Sequence, residues 1–477
     1  MTPRDALIIL LRSGAGRLGA LFLATLVLAS IFVLLRFPLD FGSSRWNNPL
    51  EWSDNPKAVP PAWTSIFQGD DAVPHTVFLA SEPDSTTSAG ATEVRTYTLN
   101  YDFNRLEPPS FISFTLSGVT FKERPPVLSV EVARPDGKVI TLYQSVVRGP
   151  RAGEEPPYSR YHDTPFRVFL SGDQDTLISL STFLRQQFST TMSTQQLQGR
   201  VEEVVFGTPD TDRPGAFDPL QGTYQIAVRA IVGDPSDTIE SIKLVLGGTV
   251  YGVMGTDSLG RDLAMGLLFG FPVALAIGLS TSLFATTIGT FMGILSGFLG
   301  GKTDIAIQRF TDVWSNIPLL PILIFLIFIL GQQLWLVVLI MIVFGWPGLT
   351  IVVRSMVLQI RSGQLVEATQ AMGASRMRIM FRHILFQIAP FVFAQMIFFT
   401  PAAILAEAGL SFLGLGDPSI PTWGQILENG FRTGAVYVGY WWWVLPPGLL
   451  IVFTAMTFVL LTLGLEPVVN PRLRTEQ

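Results

Sequence analysis

Cysteine does not occur in this chain, which excludes disulfides and thiolate-ligated metal sites. Histidine is almost as rare. His75, His162 and His383 stand far apart in sequence, so no histidine metal cluster is expected. Charge is scarce too. Only 14% of the 477 residues are Asp, Glu, Lys or Arg, 48% are hydrophobic, and mean hydropathy is +0.41. Soluble domains carry about a quarter charged residues, so this composition points to a membrane class. A phosphate cradle is also missing. Residues 296–303, SGFLGGKT, approach G-x-x-x-x-G-K-[ST], but the first glycine, Gly297, comes one residue late. A long apolar run precedes it where a phosphate loop needs a strand. No catalytic, cofactor-binding or metal residues are expected in the chain itself.

What the chain does have is long apolar runs. Residues 18–35 carry no charge and follow Arg4, Arg12 and Arg17. The run is long enough to span a bilayer. A cleaved signal peptide is the rival reading, but its apolar core would be unusually long and no small-residue cleavage site follows. Further spans are expected at 264–299, 313–330, 334–353, 388–407 and 442–463. The first of these is rich in Gly and Ala, which lets helices pack closely in lipid. Polar residues 300–312 read as a loop. Trp346-Pro347 predicts a kink, and Pro446-Pro447 an irregular start to the last span. Six spans with both termini inside place twelve Lys and Arg against six acids on the cytoplasmic side, as the positive-inside rule requires.

Residues 38–250 are different. They contain no spanning run. Residues 40–262 hold 28 acids and 18 bases, and the rest of the chain holds 9 and 14. The acidic part is therefore expected outside the cell membrane and the basic part in and beneath it. Short β-rich runs at 75–80, 93–101, 111–121, 127–133, 138–147, 166–170 and 224–232 are separated by turn signals such as Pro135-Asp136-Gly137. Residues 176–188 read as a helix with Leu177, Leu180, Phe183 and Leu184 on one side. One antiparallel β domain, a sandwich or open barrel, is expected. Residues 85–92, rich in Ser and Thr, read as an exposed loop.

Residues 354–386 form a basic island between two apolar runs. Arg354, Arg361, Arg376, Arg378 and Arg382 lie in it, with one acid, Glu367. Leu365, Ala368 and Met372 recur at helical spacing. Gly373 permits a left-handed exit, and Ser375 can cap a second helix. The loop therefore reads as a helix–turn–helix shaped to dock into a partner; the plain alternative is a generic basic loop.

Glu367-Ala368-Thr369, then Gly373-Ala374-Ser375, then a basic–apolar segment with Arg378 that ends in His383-Ile384-Leu385, resembles the EAA loop of ATP-binding cassette (ABC) importer permeases. Thr369 replaces the motif's second Ala, and Phe386 replaces the usual following Pro. Gly255-Thr256-Asp257, with Leu259-Gly260-Arg261-Asp262, resembles the signature before the second helix of the dipeptide/oligopeptide/nickel (C-type) permeases. Residues 404–416, the string Pro421-Thr422-Trp423-Gly424, residues 441–448 and Asn470-Pro471-Arg472 also look like that family. The large insert departs from its pattern. Glu407, near the outer end of the fifth span, is a candidate pathway or helix-end residue.

The resemblance implies an α-helical polytopic membrane protein with six transmembrane helices in the type I importer permease fold, and the residues between the first two helices add an extracytoplasmic mainly-β domain outside that pattern. It divides as 1–37 (N-terminus and first helix), 38–250 (β domain) and 251–477 (permease core). The implied function is import of peptides or related small solutes through the cell (inner) membrane. The implied partners are a second homologous permease subunit, two ATPase subunits that carry ATP and Mg, an extracytoplasmic substrate-binding protein and the lipid bilayer, with no nucleic acid. The alternative is a non-transporting membrane receptor or anchor whose β domain binds a ligand or partner.

Overall fold

The computed structural model describes residues 3–89 and 92–469. The Asn470-Pro471-Arg472 string and the basic tail lie outside the described residues. The chain divides into two compact units, Met1–Pro49 with Leu263–Gln477, and Leu50–Asp262.

The first unit opens with helices α1 (Pro3–Arg12) and α2 (Gly14–Arg36). Ser13 separates them, and its Oγ accepts from Gly16 N at 2.9 Å. The chain then folds back. Phe41 and Trp46 are buried, and the Phe41 ring lies 5.1 Å from that of Phe269. Residues 38–49, expected in the insert, thus pack within the helical unit.

The second unit holds two five-stranded antiparallel sheets and a two-stranded ribbon. In one sheet β1 (Thr76–Ala80), β12 (Thr238–Leu246), β4 (Ile112–Phe121) and β7 (Tyr158–Arg160) lie in that order, and β8 (Phe166–Phe169) also pairs with β4. The other runs β2 (Ser85–Ala89), β3 (Thr92–Phe103), β11 (Gly222–Val232), β5 (Val127–Ala133), β6 (Val139–Val146). The ribbon is β9 (Gly207–Pro209) with β10 (Phe217–Pro219). Short helices α3 (Ser65–Gln68), α5 (Thr194–Leu197) and α6 (Val201–Val205) accompany the longer α4 (Gln174–Phe188).

Alternation in β11 buries Tyr224, Ile226, Val228, Ala230 and Val232 on one face. The two sheets share one core: Phe114, Leu116, Ile242 and Leu244 from the first meet Tyr97, Val130, Leu142 and Ile226 from the second, with Leu177, Leu180, Phe183 and Leu184 of α4. The unit is a sandwich with a helical flank. Gly137, at φ +77°, turns β5 into β6. Within the expected loop 85–92, the described residues 85–89 are not loop. Residues 85–89 form β2 and pair with β3.

The helical unit resumes at α7 (Leu263–Leu299), whose glycines carry the packing. A Cβ on Gly289 would lie 2.7 Å from Trp346 O, one on Gly293 2.7 Å from Val353 Cβ, and one on Gly297 2.8 Å from Val357 Cβ. Only glycine at this four-residue spacing lets the backbone of α7 approach α11 (Pro347–Arg361) so closely. Between them come α8 (Gly301–Ser315), α9 (Leu319–Leu330) and α10 (Leu334–Gly345). The break between α10 and α11 falls at Trp346, with Pro347 opening the new helix.

The expected span 313–330 is not one helix. The polar stretch before it is itself helical, and α8 and α9 meet at a 75° bend around Asn316-Ile317-Pro318. Pro318 restricts Ile317 to extended backbone and so ends α8. Among the described residues five helices are long and apolar enough to cross a membrane, or six if this bent pair counts as one span.

Beyond α11 follow α12 (Gln364–Ala371), α13 (Arg376–Arg378), α14 (Leu385–Phe412), α15 (Trp423–Arg432), α16 (Ala435–Val438) and α17 (Trp441–Val469). Helix α17 continues through Pro446 and Pro447, where an irregular start was expected. It packs on α2 where Gly16, Gly19 and Gly464 remove side-chain bulk.

Candidate docking loop and signature turn

Helix α12 ends in a Schellman motif. Ala374 N donates to Thr369 O at 3.1 Å, and Gly373 N to Gln370 O at 2.9 Å, with Gly373 at φ +76°. Ser375 then caps the next helix, its Oγ accepting from Arg378 N at 3.4 Å. The second helix is not a separate one. Arg376–Arg378 passes through a π turn, Ile379–Ile384, straight into α14, giving one apolar helix, Arg376–Phe412. Ile379, Met380, Ile384 and Ile388 keep a continuous buried stripe through the basic segment, while Arg376, Arg378 and Arg382 face outward. Arg354 likewise lies inside α11.

One residue anchors α12. Val366 is fully buried in a cluster with Ile294 and Phe298 of α7 and Val353 and Val357 of α11. The opposite face is bare: Leu365, Glu367, Ala368 and Met372 are all exposed. The apolar spacing seen in the sequence therefore marks the outward face, and the inward face is Val366 with Thr369. Thr369 fits in place of Ala because its hydroxyl donates to Leu365 O within its own helix.

Sequence reading missed Asp304. It receives Arg354 bidentately, Nε to Oδ1 and Nη2 to Oδ2, both at 2.6 Å. Ser296 Oγ also donates to Asp304, and Gln308 Nε2 donates to Ser296 Oγ at 2.9 Å. The network ties the end of α7 to α8 and α11 at the base of the loop. Asp304 stood among the polar residues of a short stretch between two apolar runs, and the fifty-residue separation hid its partner.

The signature residues fall in the other unit, which contains residues up to Asp262. They form a buried turn. Asp257 Oδ1 accepts from Leu259 N and Arg261 N, both at 2.9 Å, and its Oδ2 pairs with Arg261 Nε at 2.5 Å. Thr256 is buried and bridges backbone to Asp262. Its hydroxyl donates to Pro56 O at 2.8 Å and accepts from Val59 N at 3.2 Å. A Cβ on Gly260, at φ +81°, would meet Trp52 O at 3.0 Å. With Ala58 N to Asp257 O at 2.8 Å and Ala62 N to Gly252 O at 2.8 Å, the turn binds the entry segment of the insert to its exit segment.

Beside it lies a cavity of about 460 Å³ lined by His75, Arg105, Tyr251 and Asp262 among others. Burial lowers the His75 pKa, opposed by Asp54, and raises that of Tyr251. Among the described residues no group of three or more His, Asp and Glu could hold a metal ion.

Glu407 is buried near the end of α14, accepting from Ser411 Oγ at 2.7 Å. Thr422, the cap of α15, also hydrogen-bonds it. A Cβ on Gly424 would lie 2.7 Å from Ala408 Cα, so α15 is pressed against this stretch. Glu407 thus joins the end of α14 to the start of α15. It stands far from the candidate docking loop, since the 22 residues from Leu385 span about 33 Å of helix.

A family model described as binding-protein-dependent transport system inner membrane component matches residues 289–475. A dipeptide transport system permease protein of Bacillus subtilis is 34% identical over 221 residues, 46% of this chain and 68% of the relative. This chain belongs to that permease family. An oligopeptide transport system permease protein of Escherichia coli is 34% identical over 219 residues, 46% of this chain and 72% of the relative. A peptidoglycan transport system permease protein of Agrobacterium fabrum is 32% identical over 178 residues, 37% of this chain and 47% of the relative. An inward-facing methionine ABC transporter structure aligns with 42% of this chain and 92% of its own, at 19% identity and a TM-score of 0.34, a likeness too slight to decide anything.

As a member of the family, the chain is the multi-pass inner-membrane permease subunit of an ABC importer, and ATP hydrolysis belongs to separate subunits. That membership favours transport over the receptor or anchor alternative.

Proposed function

We propose that this permease imports peptides or related small solutes. It forms the pathway with a second homologous permease, receives substrate from an extracytoplasmic binding protein, and is driven by two ATPase subunits that bind ATP and Mg. Permease proteins similar to it are named for dipeptide, oligopeptide and peptidoglycan transport. The observation that carries the coupling role is the two-faced helix α12. Val366 fixes it to the ends of α7 and α11, while Leu365, Glu367, Ala368 and Met372 point away from the chain. A push on that face is transmitted to α7 and α11 through packed side chains and the Asp304–Arg354 pair. ATP-driven closure of the ATPases would thereby reorient the spans, exposing the pathway alternately to each side.

In this reading Gly373, Ala374, Ser375 and Arg378 shape and border the docking element, the loop is cytoplasmic and the insert extracytoplasmic. Glu367→Lys tests it in the reconstituted complex. Insertion into the membrane is unchanged, and uptake is lost because the only acid of the docking face is reversed. Wild-type uptake by the variant refutes the assignment. Orientation is read with trypsin added from outside, which cuts the exposed insert loop at Arg151 and spares Arg361, Arg376 and Arg378.

A further inference from the structure

The two ends of the insert, knitted together by the signature turn, make a lobe with an unusual surface. Six large apolar side chains of Leu50–Asp262 are exposed by 60% or more among the described residues. Five of them, Leu50, Ile66, Phe67, Val253 and Leu259, lie at 50–67 or 253–259; the exception is Leu79. Trp63, half-exposed, joins the two groups: its Nε1 donates to Val253 O at 3.0 Å. A soluble surface scatters its exposed apolar residues singly and does not gather the most exposed at one end.

Covalent continuity says what lies near that end. Leu259 is four residues from Leu263, the first residue of a membrane-spanning helix. Four residues reach at most about 14 Å. Leu50 directly follows the helical unit. An indole with its N–H satisfied, beside Phe, Ile, Leu and Val, is the composition that settles into the headgroup layer.

We infer that this lobe is a monotopic anchor, with Phe67 and Val253 immersed in the lipid headgroup–acyl boundary. The insert is then held at a set height on the bilayer, with its entry and exit segments fixed at the surface. The inference rests on the membrane-spanning reading of the helical unit.

The absence of native cysteine makes single-site labelling clean. Spin labels are placed on Phe67→Cys and Val253→Cys in the full chain, reconstituted in phosphatidylcholine–phosphatidylglycerol vesicles. Phe328→Cys on α9, 89% exposed, is the lipid reference, and Arg151→Cys the water reference. Collisions with oxygen and with a water-soluble nickel chelate give depth. Labels at 67 and 253 are expected about 5–10 Å below the phosphates. Nickel access equal to that at 151 overturns the proposal. Shielding from both reagents also overturns it, because another protein surface then covers the lobe. If position 328 itself reads as water-exposed, the spanning reading fails and the anchor fails with it; a lipid signal at 328 with water at 67 and 253 removes the anchor alone.

Discussion

Asp304 and Arg354 close on each other with both atom pairs at 2.6 Å, joining the start of α8 to the middle of α11. Both side chains are largely shielded, and Ser296 adds a bond from α7. Charge-assisted bonds of this kind contribute about 1.5–3 kcal/mol each when one partner is removed. Asp304→Asn is expected to lower the melting temperature of the purified subunit and to weaken coupling of uptake to ATP hydrolysis. Exchanging the pair, Asp304→Arg with Arg354→Asp, should restore part of the stability. A melting temperature unchanged in the single variant would show that the pair is a bystander.

The two faces of α12 should separate in experiment. Val366→Ser removes a fully buried side chain from the cluster with Val353 and Val357 and leaves a hydroxyl there. A loss of about 2–4 kcal/mol follows from cavity and desolvation costs, seen as a lower melting temperature. Leu365→Ser with Met372→Ser changes only exposed positions and should leave melting within a degree or so, since surface substitutions stay within about 0.5 kcal/mol. The ATPase subunit should nevertheless dissociate more readily from this double variant in a pull-down. Equal retention of the ATPase by both proteins would count against docking on this face.

Close approach of α7 and α11 depends on missing side chains. Gly293→Val would drive its branch into Val353, with Cβ already at 2.7 Å. Overpacking costs about 1–3 kcal/mol or more where backbone must shift. Gly348→Ala meets nothing within 4 Å and serves as the control. Thermal melts in detergent should rank wild type and Gly348→Ala together, with Gly293→Val well below.

Glu202 of the insert is buried and accepts a hydrogen bond from Ser171 Oγ. Burial raises its pKa, with the Ser171 bond opposing. Between the ordinary Glu value of about 4.3 and the higher folded-state value, the folded unit keeps a proton that the unfolded chain has released. Stability therefore falls as pH rises through that window and is level above it. Fragment 50–262 should give a β-type circular dichroism spectrum and one cooperative melt. Glu202→Gln should melt higher than wild type at pH 8, the gap closing toward pH 4. A gap independent of pH would exclude this carboxyl as its source.

Much of the protein was legible in its sequence, because each such feature is written in neighbouring residues. Apolar runs report membrane spans through their length alone. Period-two alternation marked most strands of the insert, and Gly373 with Ser375 marked the turn of the candidate docking loop, since left-handed backbone and a cap are local demands. What escaped were relations across sequence distance. Leu365, Ala368 and Met372 display a helical face, but nothing local says whether it turns inward; Val366 packing on Val353 and Val357 decided that. Arg354 reads as one more loop base until Asp304 arrives from another helix. Thr256 and Asp257 read as turn formers, yet the fold uses them to tie residues 56–59 to 256–261, about two hundred positions apart. Local propensity fixes which backbone shapes a segment can take, and only the closure of the chain on itself determines which side chains share a low-dielectric interior.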